Sequence, residues 1–297
     1  MASEARNSRE LEIAGAMLTD RGCVRPANED AVAYVIPGRD HPNAARGSLL
    51  IVADGMGGHA AGEVASGLAV EAVRRAYYAC TEPVAESLMI AFEAANRAIL
   101  EHAKRFEECS GMGTTCTALV VQDEQLWLAH VGDSRAYILR NSNLKQLSGD
   151  QTLHAQMIRD GLWSEEEAAT AGGRNVILQA LGINPKIDPD VWENGIALRE
   201  GDVVILCSDG LWNMVDDAAI AKIAGGRAPD EACERLIAAA LAAGGYDNVS
   251  VGVFAVRRAG RKGDKPQIET RRIAAVAGEE MPEAGGSDII ALPEGSQ

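Results

Sequence analysis

The chain has 297 residues, enough for one large domain or two small ones. With 47% hydrophobic, 24% charged and only 4% aromatic residues, it must build its core from Ala, Leu, Val and Ile. Its 28 Lys and Arg against 43 Asp and Glu give a net charge of −15, a field that repels nucleic acid and anionic membrane surfaces and suits cation binding.

Residues 1–10 are polar and charged with no apolar h-region, so they read as a flexible N-terminus without a secretory signal. Strands are predicted over 11–19, 31–36 and 48–53. The last holds Leu49-Leu50-Ile51-Val52-Ala53 without interruption, the pattern of a strand buried on both faces. Two helices follow. Residues 61–79 carry Val64, Leu68, Val70 and Val73 on one side, and residues 83–108 carry Leu88, Phe92, Ala95, Ile99 and Ala103 at helical spacing. Residues 114–121, 125–131 and 136–139 are predicted to form a β-meander, with turns at Asp123-Glu124 and Gly132-Asp133. The stretch 151–180 is polar, Gly-punctuated and weakly periodic, a mobile helical excursion from the sheet. Strands return at 203–207 and 249–256, with helices at 216–225 and 229–243 between them. From Arg257 onward the chain turns basic, then Gly-, Glu- and Pro-rich, so 258–297 reads as a disordered tail. Helices clustered between runs of strands favour an α+β layered sandwich over a parallel α/β sheet. No apolar stretch reaches the ~18 residues of a membrane helix. The six cysteines show no Cys-x-x-Cys pair and no zinc spacing, so they read as reduced core residues of a cytoplasmic protein.

Certain carboxylates stand where strands end. Asp54 closes the run 49–53 and Asp209 closes 203–208, and each is followed by glycine. Asp-Gly is a favoured hairpin pair, which is one reading of both. Against it, Asp54 leads into Met-Gly-Gly-His-Ala-Ala-Gly and a helix, with no return strand. Asn28-Glu29-Asp30, Asp133 and Asp247-Asn248 occupy similar boundaries, where they could equally be turn residues or caps. If these acids converge, two carboxylates ~4 Å apart repel by about 4 kcal/mol at an effective dielectric near 20, so a cluster needs protons or cations. Oxygen-only donors select Mg²⁺ or Mn²⁺ over Zn²⁺. The chain has no P-loop, no His-Glu-x-x-His, no Gly-x-Ser-x-Gly and no cysteine placed like that of a cysteine-dependent phosphatase, so nucleophilic Ser or Cys chemistry has little support.

The ordered blocks now resemble the metal-dependent Ser/Thr protein phosphatases, protein phosphatase type 2C, in their bacterial form. They are Asp20-Arg21-Gly22 through Arg25 to Asn28-Glu29-Asp30, then Asp54-Gly55-Met56-Gly57-Gly58-His59, then Gly113-Thr114-Thr115. Gly132-Asp133-Ser134-Arg135, Ala180-Leu181-Gly182, Ser208-Asp209-Gly210-Leu211-Trp212 and Asp247-Asn248-Val249-Ser250 follow. The resemblance implies a four-layer α-β-β-α sandwich, two packed antiparallel sheets flanked by helices, over 11–257, with a flap at about 150–180. It implies hydrolysis of phosphoserine and phosphothreonine on proteins, without a covalent phosphoenzyme, by a metal-bridged water attacking phosphorus in line. Two Mn²⁺ or Mg²⁺ ions would be held by Asp30, Asp54, the Gly55 carbonyl, Asp209 and Asp247, with Glu29 assisting through water and Asp133 serving a third ion. Arg25 matches the arginine that clamps the phosphate, a role suited to a guanidinium fork. His59 is a candidate acid for the leaving oxygen, beside the alternatives of a helix-start residue or a water in that role. Partners would be phosphorylated proteins, targets of a Ser/Thr kinase, met by a monomer.

The resemblance has gaps. Asp150-Gln151-Thr152 stands where many members carry Asp-His-Ser, and Ala171-Gly172-Gly173 replaces a common His-Pro, so the flap and with it substrate choice depart from the pattern. Two rival readings remain. One is a pseudophosphatase, a binding module on the same fold. The other is a dinucleotide site at Gly55-Met56-Gly57-Gly58-His59-Ala60, which fits Gly-x-Gly-x-x-Ala but sets Asp54 against the pyrophosphate.

Overall fold

A strand that is apolar at every position has two faces to bury, and the computed structural model, which describes residues 11–57, 61–170 and 176–258, shows what covers each. In chain order the first strands are β1 (Leu11–Asp20), β2 (Asp30–Val35) and β3 (Ser48–Met56), followed by helices α1 (Ala61–Ala79) and α2 (Val84–Arg105). Then come β4 (Gly113–Thr114), β5 (Cys116–Gln122), β6 (Gln125–Val131), β7 (Arg135–Arg140) and β8 (Asn143–Gln146). The excursion holds α3 (Leu153–Arg159) and α4 (Glu165–Thr170), and short strands β9 (Asp190–Val191) and β10 (Ile196–Ala197) lead out of it. The chain closes through β11 (Val203–Cys207), α5 (Asp209–Trp212), α6 (Asp217–Ala224), α7 (Pro229–Ala242) and β12 (Val249–Arg258).

These strands make two sheets, antiparallel throughout their pairings. One runs β1-β12-β11-β7-β8; the other runs β10-β6-β5-β3-β2, with β4 on β3 and β9 on β6. Side chains alternate between the faces. Leu49, Ile51 and Ala53 pack with Ala65, Ala69, Phe92 and Ile99 of α1 and α2, whereas Leu50 and Val52 pack between the sheets with Leu206, Phe254 and Val256. β11 repeats the division: Val204 and Leu206 point between the sheets, while Ile205 and Cys207 meet Ile220, Leu236 and Ala240 under α6 and α7. Three apolar layers therefore separate four layers of structure, the expected α-β-β-α sandwich.

Helix starts follow local chemistry. Asp216 caps α6 by accepting from the Ala219 amide at 2.7 Å, and Pro229 occupies the first turn of α7, where its missing N–H costs nothing.

Two expectations are corrected. The strands 114–121, 125–131 and 136–139 do not form one meander: β5 and β6 pair in one sheet, but β7 belongs to the other, beside β11. Gly132-Asp133-Ser134 is thus a crossing between sheets, and Gly132, at φ +107, makes a bend that a side chain would resist. Asp54 does not end its strand either. β3 leaves β5 after the Val52–Thr117 pair and continues on β4 through Gly55 and Met56. The antiparallel pairing also excludes the dinucleotide reading, which requires a parallel βαβ unit. No helix among the described residues is long and apolar enough to cross a membrane.

Candidate metal centre

The sheets meet at one end, and the acids meet there. Asp30 opens β2 directly opposite Asp54 in the antiparallel register. The backbone of Asp54 is gripped by two threonines: Thr115 Oγ1 accepts from its amide at 3.0 Å, and the Thr115 amide and Thr114 Oγ1 donate to its carbonyl, each at 2.9 Å. From the other sheet, Ser208 Oγ and Ser250 Oγ donate to Asp30 Oδ2 at 2.7 and 2.6 Å. Asp209 begins α5 one residue beyond Ser208. Asp133 sits in the crossing between sheets, its carbonyl accepting from Trp212 Nε1 at 3.0 Å.

Burial and mutual repulsion dominate the electrostatics. Asp30, Asp133 and Asp209 are buried and Asp54 is partly buried. Desolvation pushes the Asp54 carboxyl well above its ordinary range, and the charges of Asp30, Asp209, Asp133 and Asp247 push it further. Asp133 is raised to about 7, first by burial and then by Asp209 and Asp150. Burial also raises Asp209, with Asp247 adding to it, while hydrogen bonding with the neighbouring Asp54 carboxyl pulls it back. Asp30 is raised by burial against the opposing hydrogen bonds of Ser250 and Ser208. Glu29 is raised by burial and held down by the Gly62 amide at the start of α1.

Among the described residues, no side chain donates to the buried Asp30 Oδ1 or Asp209 Oδ1. Buried carboxylate oxygens without donors are costly, and oxygen donors crowded this way fit hard divalent cations. No group of three or more His, Cys, Asp or Glu side chains among the described residues stands as a finished ligand set.

The remaining expected residues fall around this cluster. Arg25 Nη2 donates to Asp247 Oδ2 at 2.6 Å, with half of the Arg25 side chain exposed. Gly55 lies where only glycine fits: a Cβ there would stand 2.1 Å from the Gly62 carbonyl oxygen and 2.5 Å from that of Glu29. His59 lies outside the described residues. Sequence reasoning missed the second rank. Asn248 accepts from the Glu29 amide at 2.8 Å and donates to the carbonyls of Arg21 and Ala27 at 2.8 and 2.9 Å, locking the Arg25 loop to the start of β12. Ser208 precedes Asp209 and Ser250 lies three residues after Asp247, but the sequence does not show that they serve Asp30 on the other sheet.

A family profile described as protein phosphatase 2C matches residues 27–228. The chain belongs to the protein phosphatase 2C family. Among its relatives is the serine/threonine phosphatase Stp of Listeria innocua, 36% identical over 239 residues, which cover 78% of this chain and 92% of Stp. The crystal structure of the serine/threonine phosphatase PstP of Mycobacterium tuberculosis superposes with a TM-score of 0.74 at 36% identity, covering 83% of this chain and 99% of that one. The PstP catalytic domain in complex with 2 manganese ions superposes at 0.71 and 37% identity, over 83% and 99% of the two chains. The expectation of a protein-serine/threonine phosphatase of the protein phosphatase 2C family is therefore borne out.

Proposed function

We propose that the chain hydrolyses phosphoserine and phosphothreonine esters on proteins in a reaction that depends on Mn²⁺ or Mg²⁺. The observation that carries this is the gathering of Asp30, Asp54, Asp133 and Asp209 from both sheets into one desolvated cluster with unpartnered oxygens. Asp30, Asp54, Asp209, Asp247 and the Gly55 carbonyl would hold two ions, Glu29 would assist through water, and Asp133 would serve a third. Bound there, divalent ions neutralise phosphoryl charge and acidify a water for attack on phosphorus.

The chain's own residues do the positioning. Asp247 takes one N–H of Arg25, leaving the rest of the guanidinium fork to meet phosphoryl oxygens at the mouth of the cluster. Ser208 and Ser250 fix Asp30 and so fix the spacing of the two sheets at the site. His59 remains the candidate acid for the leaving oxygen. Cys116, Cys207 and Cys233 are buried and desolvation holds all three as thiols, so none of these three supplies a nucleophile, whereas Cys23 is exposed. We assign the catalytic domain to 11–257 with its flap at 150–180. We place the protein as a cytoplasmic monomer acting on the targets of a Ser/Thr kinase.

The test is turnover of p-nitrophenyl phosphate and a phosphothreonine peptide after chelation and after Mn²⁺ is restored. Restored turnover that Asp209→Asn abolishes is the expected result. No turnover by the wild type in excess Mn²⁺ would leave a binding module instead.

A further inference from the structure

Two loops meet at the mouth of the acidic cluster, and they are joined on both sides of one residue pair. The Cys23 amide donates to the Gly245 carbonyl at 2.8 Å, and Arg25 Nη2 donates to Asp247 Oδ2 at 2.6 Å. Between these two bonds stand Val24 and Tyr246, one on each loop. Both are exposed, at 61% and 64%. A single exposed apolar residue needs no explanation. A Val and a Tyr exposed on two loops that are joined to each other beside the arginine of a polar site do, in a chain with only five tyrosines.

The pair is also held still. Gly22, at φ +78, fits so closely that a Cβ would stand 2.1 Å from the Asp247 carbonyl oxygen. Gly244 and Gly245 both have positive φ, and the Tyr246 ring lies against Gly244, 2.6 Å from where a Cβ would be. Asn248 ties the following strand to the Arg25 loop through Arg21 and Ala27. An aromatic ring on a fixed backbone loses little entropy when a ligand covers it.

We propose that Val24 and Tyr246 are specificity-determining residues. They form an apolar ledge for the side chain next to the phosphorylated residue, so that the preferred substrate carries a large apolar or aromatic residue directly beside its phosphothreonine or phosphoserine. This rests on the reading of the site as one that hydrolyses phosphoprotein esters. The occupant follows from position: a phosphoryl group at Arg25 leaves the flanking residue of the same peptide within reach of the neighbouring Val24 and Tyr246.

The experiment compares two phosphothreonine peptides, identical except that one has Leu and the other Gly on both sides of the phosphothreonine, with Mn²⁺ present. Wild type is expected to favour the Leu peptide by about tenfold in kcat/KM, carried by KM, which corresponds to 1.4 kcal/mol. Val24→Ala/Tyr246→Ala should bring the two peptides level, and Tyr246→Phe should keep the preference. Equal kcat/KM for both peptides with wild type overturns the ledge, as does a preference that survives in the double variant. Failure of wild type on both peptides overturns the underlying reading instead, so the two failures are distinguishable.

Discussion

Ser250 Oγ lies 2.6 Å from Asp30 Oδ2, a bond that joins the two sheets across the acidic cluster. The hydroxyl also lies 2.8 Å from Thr19 Oγ1, which in turn accepts from Asn28 Nδ2 at 2.9 Å. A serine has one proton to give, and a carboxylate takes it more strongly than a neutral hydroxyl. The chain therefore runs from Asn28 to Thr19 to Ser250 to Asp30, each group donating onward. Ser250→Ala breaks its last link and leaves a buried carboxylate oxygen with only Ser208. The variant should lose about 1–3 kcal/mol of stability in urea melts. It should also need more Mn²⁺ for half-maximal stabilisation than wild type does.

Divalent cations should change how stability depends on pH. The carboxyl of Asp133 rises from 3.8 to about 7 on folding, and those of Asp30, Asp54 and Asp209 also rise, all with burial as the first cause. Between those limits the folded state holds protons that the unfolded chain has released. Stability in EDTA should therefore be fully present below about pH 4 as far as these groups are concerned, and fall as pH rises through about 7. Saturating Mn²⁺ replaces the protons and should flatten or reverse that slope. Thermal melts from pH 5 to pH 8, with EDTA and with Mn²⁺, measure it; parallel curves would sink the idea that the cluster is a cation site.

Asp209→Asn should separate stability from activity. The substitution removes one charge from a crowded set and keeps the shape of the side chain. In EDTA at pH 8 the variant should be more stable than wild type, on the order of 1–3 kcal/mol. Its stability should respond little to Mn²⁺, and it should not turn over a phosphothreonine peptide. Calorimetric titration with Mn²⁺ checks the binding half independently of catalysis.

Much of the architecture was legible because strong periodicity reports burial. The run at Leu49–Ala53 announced a strand covered on both sides, and helices α1, α2, α6 and α7 lie within a few residues of their predicted bounds. The misplaced β7 shows where such signals stop. Alternation says that a strand has an inward face but not which sheet it joins, and Gly132-Asp133 looks the same as a hairpin turn or as a crossing. Two-residue strands such as β4 and β9 carry too few positions for any period to register. At the site, the acids were legible because Asp54, Asp133, Asp209 and Asp247 each stand beside glycine or asparagine, and Asp30 follows Asn28-Glu29 at the start of a strand. The hydroxyls that hold them were not: a serine donating across 220 residues of chain leaves no local trace.

Asp133 is steadied from behind by Trp212, which is itself stacked under Arg135. Arg135, two residues on, donates through Nε and Nη2 to Asp150 at 2.9 and 2.6 Å, and its guanidinium carbon lies 3.8 Å above the centre of the Trp212 ring. Trp212 holds the Asp133 carbonyl, and Asp150 begins the segment whose next residue, Gln151, bonds both the amide and the carbonyl of Gly132. One planar cation thus links the crossing between sheets, α5 and the base of the flap segment. Lysine keeps the charge but loses the two-pronged bond and most of the stacking. With both partners largely buried, Arg135→Lys should lower stability by about 1–3 kcal/mol in urea melts, and more than Arg74→Lys, whose Glu71 pair lies on the surface. Equal effects at the two positions would mean that the clamp on Asp133 contributes no more than a surface ion pair.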